Sequence, residues 1–166
     1  MTHGREDILD TIAGLVIEHG DFPTLAEVAR ASGLSKPGVL HHFPSRAAMA
    51  EALVAREVGR VDRLLTSAAA EGRVVDAWLE LSRPSSTERG LYIAMASVAT
   101  DGAAGLSDQL AGMTARWESL MESELGDAGL ALLVRLVGDG LLLNALAGTP
   151  VPRERLDPAL ARVLRT

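Results

Sequence analysis

The residues best suited to chemistry sit in one short window. Between Val28 and Ala50 the chain carries no acidic residue, yet it places Arg30, Lys36, His41, His42 and Arg46 there. Cations without interleaved acids suit one class of target well, a row of phosphates, because each contact releases condensed counterions. Hydroxyls accompany them. Thr24, Ser35 and Ser45 each stand where a helix is expected to start, and the free N–H groups of a helix start also bind anions. Lys36, in a first turn with Pro37 and Gly38, can reach a phosphate or a guanine edge. Gly38 costs that helix about 1 kcal/mol against alanine, and its bare backbone would permit close approach to a groove. His41 and His42 are adjacent on a helix and so point apart. One is expected on a phosphate and the other against the next helix start, and a shared metal ion is not expected.

The rest of the chain offers little for catalysis. There is no cysteine, and the four histidines stand at 3, 19, 41 and 42, leaving everything beyond them without the commonest acid/base side chain. No Gly-rich phosphate loop, nucleophile elbow or metal-spaced ligand set is found, so neither enzyme activity nor a cofactor is expected. Net charge is −6, from 16 Lys+Arg against 22 Asp+Glu, which makes the basic window a local feature. Trp78, Tyr92, Met95, Met113, Trp117 and Asn144 are candidates to line an apolar ligand pocket. Against that, Leu106, Leu110, Met113, Trp117 and Leu120 or Met121 recur at the spacing of an ordinary core stripe. Arg135 and Asp139, four apart in an apolar run, are expected to form a structural ion pair.

The elements that must position these residues are helical. Of 166 residues 48 % are hydrophobic but only 3 % aromatic, a balance that favours helices over a β-sandwich. Ile8, Ile12 and Val16, with Leu9 and Leu15 beside them, mark a first helix that Gly20 stops. Thr24 and Glu27 form a capping box, opening a short helix that closes at Ser32-Gly33. Ser35 then caps a second short helix, whose Val39, Leu40 and Phe43 supply apolar contacts. After Pro44, Ser45 caps a long helix with Met49, Leu53, Val58, Val61 and Leu64 or Leu65 inward. Further helices are expected at roughly 74–82, 88–101, 106–125, 128–147 and 153–164. An all-α fold follows, with an N-terminal domain over 1–63 and a helical domain over 64–166.

Two short helices joined by a tight glycine turn have the spacing of a helix-turn-helix. Residues 5 to about 54 resemble the N-terminal DNA-binding domain of the tetracycline-repressor (TetR) family. The resemblance is carried by Ile8-Leu9 and His19-Gly20, by Thr24, Glu27-Val28-Ala29 and Ser32-Gly33-Leu34-Ser35-Lys36, and by His42-Phe43-Pro44-Ser45-Arg46. It implies a transcriptional regulator contacting double-stranded DNA through Thr24, Ser35, Lys36, Pro37, Gly38, His41, His42 and Arg46. One position departs from the family. Where members usually place a tyrosine that touches a phosphate, this chain has Leu40, which has no hydroxyl to donate.

The resemblance further implies that the helical domain over 64–166 dimerises and, in many members, binds a small molecule that favours a DNA-incompetent state. A ligand-responsive repressor is therefore expected, reading a palindromic operator as a homodimer; a dimeric regulator without a small-molecule effector is the alternative. Helix 128–147 is apolar on every face and so must be buried on every face. A second copy can supply the missing cover through an isologous contact. The seam is expected from Val134, Leu136, Val137, Leu141 and Leu142, with Leu156 and Leu160 of the last helix. No signal-peptide core or membrane span is read from the sequence, and a cytoplasmic location is expected.

Overall fold

The computed structural model describes residues 4–99 and 104–164, with side chains described outside 98–110. Leu106 and Leu110, expected in a core stripe, lie outside the described side chains. Among the described residues there are nine helices and no strand: α1 (Arg5–His19), α2 (Leu25–Ser32), α3 (Lys36–His42), α4 (Arg46–Ala69), α5 (Val74–Leu81), α6 (Ser86–Ala99), α7 (Ala104–Leu125), α8 (Ala128–Leu146) and α9 (Arg153–Val163). The chain forms two compact units. One takes residues up to Gly59 together with Ser86–Leu110, and the other takes Arg60–Ser85 together with Ala111–Thr166.

The first unit is built on the periodicity of α1. Ile8, Leu9, Ile12, Leu15 and Val16 are all buried, and Gly20 ends the helix in the left-handed conformation at φ 80°. Val28 and Ala29 of α2, Val39 of α3, Phe43, and Met49, Ala50 and Leu53 of α4 close around that face. Leu91, Ala94 and Met95 of α6 join the same core, and α6 packs directly on α1. Burying a side chain of this size is worth about 1.5–3 kcal/mol. The short α2 and α3 would be marginal alone and are held by this core.

In the second unit α5 and α8 pack closely. Trp78 of α5 donates its indole N–H to the carbonyl of Val134 at 3.2 Å, and its ring lies 5.7 Å from that of Trp117 on α7. The two helices approach at Gly138. A Cβ there would stand 2.1 Å from Trp78 Nε1 and 2.6 Å from Ser82 Oγ, so no larger residue fits without displacement. Asp62 of α4 accepts from Arg116 Nε at 2.8 Å and from Trp117 Nε1 at 3.2 Å, which ties α7 to the end of α4.

The inward side of α8 is narrow. Ala131, Val134, Gly138, Leu141 and Ala145 are buried at alternating spacings of three and four, while Leu132, Leu133, Leu136 and Leu143 are exposed on the opposite side. Arg135 bonds Asp139 at 2.5 Å and Glu118 of α7 at 2.7 Å, so the pair expected within the helix also reaches its neighbour. By length and composition α8 is apolar enough to cross a membrane, and a helix with one side in a protein core passes the same test.

Candidate nucleic-acid interface

Each end of the α2–α3 pair is held by a local hydrogen bond that its residue types dictate. Thr24 Oγ accepts from the N–H of Glu27 at 3.3 Å, and the Glu27 carboxylate accepts from the N–H of Thr24 at 2.7 Å and from its hydroxyl at 2.8 Å. Those bonds from Thr24, its backbone N–H foremost, hold the Glu27 carboxyl below the usual carboxylate range. Gly33 closes α2 at φ 70°, a conformation that glycine adopts at little cost. Leu34 N–H then bonds the carbonyl of Ala29 at 3.0 Å, tightening the turn. Ser35 caps α3 by accepting from Gly38 N–H at 3.2 Å, with Pro37 in the first turn where its missing N–H costs nothing.

This geometry sorts α3 into two sides. Val39 and, just beyond the helix, Phe43 point into the core with no exposed surface. Lys36, Pro37, Leu40 and His41 are exposed, and Gly38 and His42 are half-buried. The His41 and His42 rings meet edge-on at 5.4 Å, and His42 lies 6.4 Å from Phe43. Among the described residues no group of three His, Cys, Asp or Glu side chains is placed to hold a metal ion. A Cβ on Gly38 would meet only Ser35 Oγ at 3.4 Å and Leu34, so packing does not demand glycine there.

Thr24 and Ser45 serve as caps, Ser45 Oγ accepting from Ala48 N–H at 3.0 Å. Arg46, expected on a phosphate, is exposed and also has partners within the chain. Its guanidinium turns back to donate to the carbonyls of Phe22 and, at 3.3 Å, of Pro23, and it lies 5.7 Å from the centre of the Phe22 ring. It therefore anchors the segment that leads into α2. Arg5, which no motif in the sequence singles out, stacks 5.0 Å over Phe43.

The candidate pocket residues are divided between the units. Tyr92 and Met95 belong to the core of the first, Met95 buried and Tyr92 packed against it. Trp78, Met113, Trp117 and Asn144 belong to the second, where both indoles already have hydrogen-bond acceptors and Asn144 is exposed, donating to the carbonyl of Gly140 at 2.8 Å. A cleft of about 350 Å³ does lie in the second unit between α5 and α9, lined by none of these six. Its walls include the ion pairs Arg83–Asp157 at 2.5 Å and Arg153–Glu80 at 2.6 Å. Of the candidate seam residues, Val134, Leu141 and Leu160 are buried within their own unit, Val137, Leu142 and Leu156 are half-buried, and Leu136 is exposed.

Comparison with known families assigns both halves of the chain. A family model described as bacterial regulatory proteins, tetR family, matches residues 8–53. A second, described as tetracyclin repressor-like, C-terminal domain, matches residues 72–166. A comparison with curated proteins returns no match.

Proposed function

The chain belongs to the TetR family of DNA-binding transcriptional regulators, and from that premise we propose that it is a repressor which binds a palindromic operator as a homodimer and is released by a small, largely apolar molecule. The observation that carries the DNA contact is α3: a capped helix in an acid-free stretch, with Lys36, Pro37, Leu40 and His41 exposed together. Lys36 supplies the positive charge, and the Ser35 hydroxyl a further donor, that a phosphate or a base edge requires. Thr24, Gly38 and His42 flank that surface.

The homodimer is supported by the outward side of α8. Leu132, Leu133, Leu136 and Leu143 are each at least 40 % exposed on one helix side, an apolar strip that a single protomer leaves wet. A two-fold contact there would cover each strip with its copy. A dimer also supplies the two α3 helices, about 34 Å apart, that successive major grooves demand.

A specific observation favours a second reading, a dimeric regulator without an effector. The indole N–H groups of Trp78 and Trp117 already have acceptors, so neither waits for a ligand atom. The α5–α9 cleft is the place for an effector that the first reading would use. Titration of the protein against the DNA upstream of its own coding region, at several salt concentrations, tests the DNA contact. Lys36→Ala is expected to weaken binding and to lower the slope of log affinity against log salt by about 1 for each phosphate left unneutralised, with helical content unchanged. Unaltered binding by Lys36→Ala would remove α3 from the interface.

A further inference from the structure

Leu40 is a large apolar side chain on the exposed side of α3, with 37 % of its surface open to water. Pro37 stands three residues earlier on the helix and is exposed as well. Neither belongs to the buried core of the unit, which takes Val39 and Phe43 from this segment. Leucine has no donor or acceptor, so it gains nothing from a phosphate oxygen. Among the groups that base pairs present in the major groove, one is apolar: the C5 methyl of thymine. Cytosine presents an amino donor in the same region, and an apolar wall would strip that donor of water without replacing its hydrogen bond.

We propose that Leu40, with Pro37 as the second wall, reads a thymine in each operator half-site through its methyl group, making Leu40 a specificity-determining residue. This role rests on α3 being the helix that enters the groove. Lys36, one turn before Leu40, then sets the position of the helix, while Leu40 discriminates bases. Removing one methyl from such a contact costs about fourfold in affinity, the equivalent of about 0.8 kcal/mol of apolar burial. Changing both half-sites multiplies the loss to about fifteenfold.

The test uses the full-length protein and a duplex selected by it from a random library. That duplex is resynthesised with deoxyuridine replacing thymidine at one symmetric pair of positions at a time, and binding is followed by fluorescence anisotropy. Wild type is expected to weaken about fifteenfold at one symmetric pair and little at the others. Leu40→Ala is expected to bind the thymine and uracil versions of that duplex equally. Lys36→Ala is expected to weaken both versions together while preserving their ratio. A selected half-site without thymine, the absence of any sensitive pair in wild type, or the same sensitivity retained in Leu40→Ala would each overturn the proposal. Equal binding by Lys36→Ala and wild type would instead overturn the placement of α3, and the proposal with it. Leu40 lies outside the buried core, so an unchanged CD spectrum is expected for Leu40→Ala, and the wild-type uracil series stands without the variant.

Discussion

Gly138→Ala should be among the most damaging single methyl additions this chain can receive. The added Cβ would sit 2.1 Å from Trp78 Nε1 and 2.6 Å from Ser82 Oγ, inside contact distance of two atoms at once. Neither atom is the free end of a flexible chain, since the Trp78 ring is packed against Trp117 and its N–H is bonded to the Val134 carbonyl, while Ser82 is itself buried. Overpacking of a core costs about 1–3 kcal/mol. Pushing the indole off that carbonyl leaves a buried donor unpaired for about 1–3 kcal/mol more. Alanine's better helix propensity returns about 1 kcal/mol. The net expectation is a destabilisation of about 3 kcal/mol, or about 6–12 °C in melting temperature for a chain of this size. Gly112→Ala on α7 is the control: among the described residues, nothing beyond the helix's own backbone lies within 4 Å of the added carbon. There the propensity gain stands alone, and the melting temperature should rise by about 2–4 °C. Both variants are melted beside wild type at one protein concentration, because an associating protein melts in a concentration-dependent way. A Gly138→Ala melting temperature indistinguishable from that of wild type would refute the close approach of α5 and α8.

Two further outcomes are expected. The Glu27 carboxyl has a depressed pKa in the folded chain, so its contribution is present above the ordinary carboxylate range and lost as pH falls through its folded value. The stability gap between wild type and Glu27→Gln in urea titrations should therefore close on acidification, and a gap constant with pH would count against the capping box as its source. Leu143 is 67 % exposed in the protomer, so Leu143→Glu should leave the fold intact while shifting sedimentation from dimer to monomer; a variant that stays dimeric at micromolar concentration would take α8 out of the seam.

How far these features are legible in the sequence depends on the range of the interaction behind them. Gly20, Thr24 with Glu27, Gly33 and Ser35 act on groups three or four residues away, and each occupies the cap or turn its type predicts. Buried α1 positions follow the same local logic, because helical period alone decides which residues share a side. The place of Arg46 in a first turn suggests a phosphate contact, yet its carbonyl partners lie more than twenty residues back in the chain, beyond what spacing records. Helix α8 resists for another reason. With leucine or valine at most positions its pattern has no polar side to mark the outside, so Leu141 and Leu143 look alike until α5 supplies a neighbour. Gly138 and Gly140 are equally indistinguishable by type, although only Gly138 meets an indole. The return of α6 to the first unit is likewise unmarked, since an amphipathic helix specifies that it packs but not on what.

Trp78 and Trp117 are the chain's two tryptophans, and both lie in the second unit with ring centres 5.7 Å apart at an interplanar angle of 44°. Both indoles are held in fixed, asymmetric surroundings, so the near-ultraviolet circular dichroism should carry their bands. One indole N–H faces a backbone carbonyl and the other a carboxylate, which makes the emission maximum sensitive to any shift of α8 or of the Asp62 end of α4. The helix-turn-helix contributes nothing to this light. Tryptophan fluorescence, excited beyond the absorption of Tyr92 in the first unit, therefore follows the second unit by itself, while far-ultraviolet dichroism averages over all the helices, and the chain comes already labelled for asking whether its two halves unfold together.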